Sequence, residues 1–222
     1  MVRVNSIEDR EITSGAGIAR FDEKDCLLQA VKTAARMAST VRLEVPGSGR
    51  VWLNGQKQKF WTDVSNPETF HCAKSSEAEI RTEANPPELD EDRPLEELLW
   101  TTAYLGSGGA LLTTCQLYDV VELSHWPNFT RLPHAESLMP LCSLLAHRPT
   151  SMSFAYRMLR IRPDEAFRFF SAAAVAGHLR IVSSQSGHER ADAVDNPASK
   201  SETNGRDTGA FWQRLFKRIS GL

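Results

Sequence analysis

The stretch PDEAFRFFSAAAVAGHLRIV, residues 163–182, decides the fold that the sequence predicts. Its apolar spacing indicates a helix from Pro163 to Ala176, Gly177 stands where a glycine commonly ends a helix, and residues 179–182 read as a strand. Two more helices are predicted upstream, at residues 135–146 and 151–159. Three closely spaced helices that lead into a strand are typical of a winged helix.

The residues before these helices extend the winged-helix-like domain back to residue 94. Pro94 suits the first turn of a helix, and the following Glu96 and Glu97 are favourable at its amino end. The glycine-rich residues 106–109 end that helix, and two strands are predicted, at residues 110–114 and 118–123. Residues 94–183 therefore predict an α+β domain.

The amino-terminal part predicts a lead-in and a smaller unit. Residues 1–20 hold few apolar side chains and predict a flexible lead-in, whereas residues 21–64 predict a small α/β unit. In that unit we expect a helix at 23–38 and strands at 41–45, 50–53 and 59–61. The dipeptide Asn54-Gly55 between apolar runs favours a hairpin, because both residues tolerate the positive φ of a tight turn.

Two segments are predicted to lie outside a packed core. Residues 65–93 contain several prolines and an acidic run, which predicts a linker; a solvated surface loop of a single domain is the alternative. Residues 184–209 are dominated by small polar and charged residues, which predicts a disordered linker. The folded part is therefore expected to end near residue 183.

Residues 210–222 predict an amphipathic docking helix, because their apolar and polar side chains separate completely on a helical wheel. The apolar set, which we predict to bind a partner, consists of Phe211, Trp212, Leu215, Phe216, Ile219 and Leu222. So short a helix is marginal alone in water and needs a receptor for its apolar face. The body of the same protein, a partner protein and, weakly, a membrane surface are all open, and partner docking is favoured.

A winged helix invites a DNA-binding interpretation, and the third helix is the place to test it. Its amino end carries Asp164 and Glu165, which would face phosphate oxygens of the same sign. The nucleic-acid alternative would use the nearby arginines: Arg157, Arg160, Arg162 and Arg168. Because of the two carboxylates, protein contact is favoured over nucleic acid.

Composition and motifs favour a binding protein over an enzyme. A net charge of −2 with 41% hydrophobic residues indicates a globular chain without an overall basic footprint. The four cysteines are widely spaced, so reduced core cysteines are expected, and the six histidines lack helical metal spacing. We therefore predict no catalytic motif, cofactor or metal site. The lack of a signal-peptide pattern and of a long apolar run predicts a cytoplasmic location.

The apolar and glycine pattern of residues 95–182 resembles that of small bacterial proteins with PATAN-type regulatory modules. The residues that carry the resemblance are Leu98-Leu-Trp100, Gly106-Ser-Gly-Gly109, Val121-Glu-Leu-Ser-His-Trp126-Pro127-Asn-Phe129, Leu144-Leu145, Phe169-Phe170-Ser-Ala-Ala and Ala176-Gly177. The resemblance implies a helix–strand–winged-helix plan and a role in signalling or surface motility that involves response regulators and small GTPases. It brings no functional residue with it, since no catalytic motif is available to match.

The sequence thus predicts a non-catalytic bacterial cytoplasmic adaptor that acts through protein–protein contacts, with a small GTPase or another signalling protein as the expected kind of partner. A winged-helix DNA-binding regulator is the first alternative. A signalling component attached to the membrane periphery through residues 210–222 is the second.

Overall fold

The computed structural model describes residues 17–83 and 93–183, which belong to one compact unit. The strands are β1 (Arg20–Phe21), β2 (Thr40–Val45), β3 (Gly49–Asn54), β4 (Lys59–Val64), β5 (Glu79–Thr82), β6 (Arg93–Pro94), β7 (Leu111–Leu112), β8 (Val120–Leu123), β9 (Thr150–Ser151) and β10 (Leu179–Ser183). The helices are α1 (Leu28–Ala35), α2 (Pro67–Cys72), α3 (Leu95–Gly106), α4 (Met139–His147), α5 (Met152–Met158) and α6 (Pro163–Val175). This mixture of helices and strands confirms the predicted α+β class.

A five-stranded antiparallel sheet forms around the predicted hairpin, in the order β5-β2-β3-β4-β6. Side chains alternate along β2, so Val41, Leu43 and Val45 are buried while their neighbours are half-buried. The same face of the sheet presents Leu53 and Phe60, which pair across β3 and β4. Helices α1 and α2 contribute to the core on this face.

The turn at Asn54-Gly55 is present, although its geometry is not the predicted one. The positive φ falls on Gln58, at 53°, and not on Asn54 or Gly55. Gly55 is required for another reason: a Cβ atom there would lie 1.8 Å from the carbonyl oxygen of Ala35, at the end of α1. The glycine therefore allows the hairpin to pack tightly against that helix.

The helix predicted for residues 23–38 is shorter and interrupted. A 3-10 turn, Glu23–Asp25, comes first; it is capped by Asp22, whose side chain accepts a hydrogen bond from the amide of Lys24. Cys26 then adopts an extended conformation, and α1 begins only at Leu28. The extended backbone at Cys26 therefore separates the capped turn from the helix that carries the apolar periodicity.

The linker predicted for residues 65–93 is wrong over residues 66–82. Asn66 caps α2 by accepting a hydrogen bond from the amide of Thr69, and Phe70 of that helix is fully buried in the sheet core. Strand β5 then pairs with β2 at the edge of the sheet. One buried aromatic residue and a short edge strand are enough to fix a segment whose average composition is that of a loop.

The helical part follows the predicted order. Helices α4, α5 and α6 lie within the three predicted ranges, apart from one residue at the end of α4, and Gly177, with a φ of 80°, follows the end of α6. Strand β10 pairs antiparallel with β8, which also pairs with β9, so the sheet order is β10-β8-β9. The middle strand of this sheet, β8, thus precedes the three helices in sequence. The winged-helix assignment stays a prediction.

Helix α3 joins the two apolar cores of the unit. Leu95 and Leu98 pack in the sheet core, whereas Trp100 and Ala103 pack in the helical core. The indole N–H of Trp100 donates to the carbonyl of Pro133 at 3.0 Å, so this large buried ring leaves no polar group unsatisfied. Residues 21–64 and 94–183 are therefore parts of one packed structure, in contrast to the predicted succession of separate units.

Candidate functional site

Helix α5 has one buried and one exposed side. Met152, Ala155 and Tyr156 are buried, as the spacing of one helical turn requires. One turn apart on the other side, Phe154 and Met158 are 51% and 47% exposed. Large apolar side chains that stay half in water are informative when they lie side by side.

A loop adds a third apolar side chain to this surface. The amide of Ser153 donates to the carbonyl of Leu117 at 2.9 Å, and the amide of Met152 donates to that of Asp119 at 3.2 Å. Tyr118, between these two acceptors, is 47% exposed. We call the surface formed by Tyr118, Phe154, Arg157 and Met158 the α5 face.

The structure separates the four arginines that the sequence singled out for nucleic acid. Arg162 makes two hydrogen bonds to the carboxylate of Asp164, at 3.1 and 2.9 Å. Arg168 lies over the ring of Tyr104, 5.8 Å from its centroid. Arg157 and Arg160 are exposed, and neither has an ion pair with another described residue. Arg157 belongs to the α5 face, and Arg160 follows the same helix.

The carboxylates at the start of α6 are both engaged within the unit. Asp164 holds Arg162, and Glu165 accepts a hydrogen bond from the hydroxyl of Ser137. Their position at a helix amino end is electrostatically favourable. They therefore have a structural role in addition to the repulsion of phosphate that the sequence suggested.

The six predicted docking residues, from Phe211 to Leu222, lie outside the described residues. The same holds for residues 1–16 of the predicted lead-in of residues 1–20 and for the linker of residues 184–209. The end of the lead-in is described, and Arg20 belongs to β1. The α5 face is a site that the sequence reasoning missed. Phe154 and Met158 are four residues apart, which places them on one side of a helix, but the sequence does not show which side of that helix packs inward.

A second candidate is a cleft of about 440 Å³ between β4, α2, α3 and the loop 130–133. Its lining includes His71, Arg93, Thr101 and Arg131, together with apolar side chains from all four elements. Behind this lining lies Glu97, only 5% exposed, whose Oε2 accepts a hydrogen bond from Nε of Arg93 at 2.8 Å. The other carboxylate oxygen lies 3.9 Å from Arg131.

His71 of this cleft is a buried neutral base. Its Nδ1 lies 2.9 Å from the hydroxyl oxygen of Thr102, which is fully buried. Burial, with the nearby charge of Arg93, lowers the pKa of His71 to about 4. The imidazole is therefore uncharged at neutral pH. The sequence reasoning missed this residue, because its partner lies in a distant helix.

Burial disfavours the thiolate form of three of the four cysteines. Burial raises the pKa of the Cys115 thiol to about 11 and that of Cys142 to about 12, and it also raises the pKa of Cys26. All four cysteines are free thiols. The predicted core position is confirmed for these three, whereas Cys72 is exposed.

Residues 17–83 and 93–183 contain no cluster of three or more His, Cys, Asp or Glu side chains that could hold a metal ion. Within the same ranges, every helix is too short or too polar to cross a bilayer.

The fold and these two surfaces define an α+β protein with an exposed apolar and basic face and a separate polar cleft. Comparison with family models, with curated proteins and with solved structures finds no match to the chain.

Proposed function

We propose that this chain is a non-catalytic adaptor that binds another protein through the α5 face. The observation that supports the proposal is the exposure of three large apolar side chains, Tyr118, Phe154 and Met158. The nearby Arg157 and Arg160 are exposed too, and they form no ion pair with another described residue. Contiguous apolar surface of this kind on a folded unit is typical of protein contact sites.

The positive charge of the α5 face favours a partner with acidic side chains. Residues 152–162 contain three arginines and no carboxylate, and Arg162 already binds Asp164. An apolar segment that carries acidic side chains would complement both the rings and the cations. Completing the burial of Phe154 and Met158 is worth about 1 kcal/mol each, which suits a reversible contact.

Protein contact is favoured over DNA by the apolar character of the face. Protein–DNA interfaces are more polar than protein–protein interfaces, and phosphate contacts come from arrays of cations. Two exposed arginines among three apolar side chains fit that description poorly. The carboxylates of Asp164 and Glu165 nearby add repulsion.

The predicted docking helix is a second contact element in this proposal. Its sequence carries Arg214, Lys217 and Arg218, so it has the same sign of charge as Arg157 and Arg160. Like charges disfavour its binding to the α5 face. We therefore expect residues 210–222 to engage a different surface. The resemblance to PATAN-type modules adds that the partners are bacterial signalling proteins of the cytoplasm, small GTPases among them.

The proposal is tested by quantitative affinity capture from cells that make this protein. We expect Phe154→Ser and Arg157→Glu each to remove one and the same set of captured proteins. Met37→Ser is the matched control, because Met37 is also exposed, at 36%, but it follows α1, which packs in the sheet core, and does not belong to the α5 face. A captured set that survives both α5 substitutions, or that is released by nuclease treatment, contradicts the proposal.

A further inference from the structure

Two polar side chains that line the cleft between β4, α2, α3 and the loop 130–133 present hydrogen-bond donors. The first is His71. Thr102 is fully buried, and the only hydrogen bond of its hydroxyl within the described residues is to Nδ1 of His71. The hydroxyl hydrogen is satisfied only if Thr102 donates to Nδ1. The proton of the neutral imidazole therefore lies on Nε2.

This Nε2–H group has no hydrogen-bond acceptor among residues 17–83 and 93–183. His71 is only 6% exposed, and it lines the cleft. Nε2 is not one of the side-chain atoms that are closed off from solvent without a partner, so this N–H group is open to the cleft, where water or a ligand can accept its hydrogen bond. His71 thus supplies one directed donor to this cleft.

Arg93 is the second donor, and it is held in place on two sides. Its Nε donates to the buried Glu97, and its guanidinium lies 5.2 Å from the centroid of the Phe60 ring. The terminal nitrogens make no further hydrogen bond within the described part of the chain. A guanidinium fixed in this way is suited to bind an oxyanion through two parallel N–H groups.

The remaining walls are apolar. Val64, Leu105 and Leu132 line the cleft, and no carboxylate lies among its described lining residues. A cleft of about 440 Å³ falls within the size range of small-molecule sites, which combine apolar walls with a few directed polar groups. The two donors and the aliphatic side chains that line the same cleft suit a ligand with an anionic head and an apolar tail.

We propose that this cleft binds a small organic oxyanion, a carboxylate or a phosphate monoester, whose oxygens accept hydrogen bonds from Arg93 and from Nε2 of His71 and whose apolar part packs on Leu105 and Leu132. The proposal is independent of the adaptor function, because the cleft shares no residue with the α5 face.

The test is an NMR titration of the full ¹⁵N-labelled chain with hexanoate, hexyl phosphate and 1-hexanol. At least one of the two anions is expected to bind with a Kd of the order of 1 mM. It is also expected to shift the imidazole nitrogen signals of His71. Hexanol, which has the same tail without the charge, is expected to bind roughly tenfold more weakly. The stronger anion identifies the head group. Equal binding by hexanol, or an unmoved His71 signal with both anions, overturns the proposal.

Two variants locate the binding. Thr62→Trp places a large ring at the exposed mouth of the cleft, on β4, and is expected to abolish the shifts. Thr82→Trp makes the same change on β5, away from the cleft, and is expected to leave them unchanged. Arg93→Lys, which keeps the charge but loses the planar fork, is expected to weaken anion binding roughly tenfold. Full binding by both Thr62→Trp and Arg93→Lys also contradicts the proposal.

Discussion

Arginines lie beside apolar side chains in two regions of this molecule, and the two regions hold their charges differently. In the cleft, Arg93 is 28% exposed and donates to Glu97, which is 5% exposed. On the α5 face, Arg157 is exposed and stacks on Tyr156 without a carboxylate partner in the described ranges. Removing one member of a buried ion pair lowers the free energy of unfolding, whereas an exposed charge contributes little to stability and is available to a binding partner. The cleft should therefore respond to substitution in stability, and the α5 face in binding.

The largest expected effect is the pH dependence that His71 confers on stability. The pKa of His71 is about 4 in the folded chain, whereas a histidine in an unfolded chain has a pKa near 6.5. Between these values the unfolded chain binds the proton more readily, so the free energy of unfolding falls as the pH falls from 6.5 to 4. The loss amounts to about 3 kcal/mol.

Urea unfolding at several pH values measures this effect, with His71→Gln as the comparison. The variant should lose less stability than the wild type over the same pH window. His178, whose pKa is also lowered by burial, accounts for part of what remains. Parallel curves for the two chains would show that His71 is not buried as a neutral base.

The next largest effect is a difference in the free energy of unfolding between two arginine-to-methionine variants, one in each region. Arg93→Met leaves the buried Glu97 with Arg131 at 3.9 Å and should lower the free energy of unfolding by about 2 kcal/mol. Arg157→Met should change it by no more than about 0.5 kcal/mol. Chemical denaturation checks both variants.

The double variant Arg93→Met with Glu97→Leu is the control, because it removes the stranded carboxylate as well. It should recover part of the stability lost in Arg93→Met. If Arg93→Met and Arg157→Met cost the same, the contrast between the two regions is wrong.

A smaller effect concerns the predicted docking helix. Deletion of residues 210–222 should leave the amide signals of Phe154, Arg157 and Met158 in place, because like charges disfavour docking of that segment on the α5 face. An NMR comparison of the full and truncated chains decides the point. Displaced signals on α5 would show that the segment binds there in cis.

The local signals in the sequence predicted the parts of the fold that depend on near neighbours. The hairpin strands β2, β3 and β4 and the succession α6, Gly177, β10 follow from alternation, helical spacing and a glycine after the helix. Residues 66–82 were missed because their order depends on one buried side chain, Phe70, which an average over composition conceals.

The sites could be predicted less well than the fold. His71, Arg93 and Arg131 meet only because α2, β6 and the loop after β8 surround α3, which is a tertiary fact. The α5 face depends on which side of a short helix contacts the helical core. The contacts of Arg162 with Asp164 and of Arg168 with Tyr104 are likewise visible only in the structure. The spacing of apolar residues indicates that they share one face of a helix, and the packing of that helix decides whether the face is exposed.

Direct binding of a protein by the α5 face can be measured in the cell. Photo-crosslinking in the cell from a reactive phenylalanine analogue at position 154, with the analogue at position 37 as control, tests it most directly. We expect a discrete protein adduct from position 154 that is lost with Arg157→Glu and is absent from position 37. No adduct from position 154, or an adduct with nucleic acid or lipid, would contradict it.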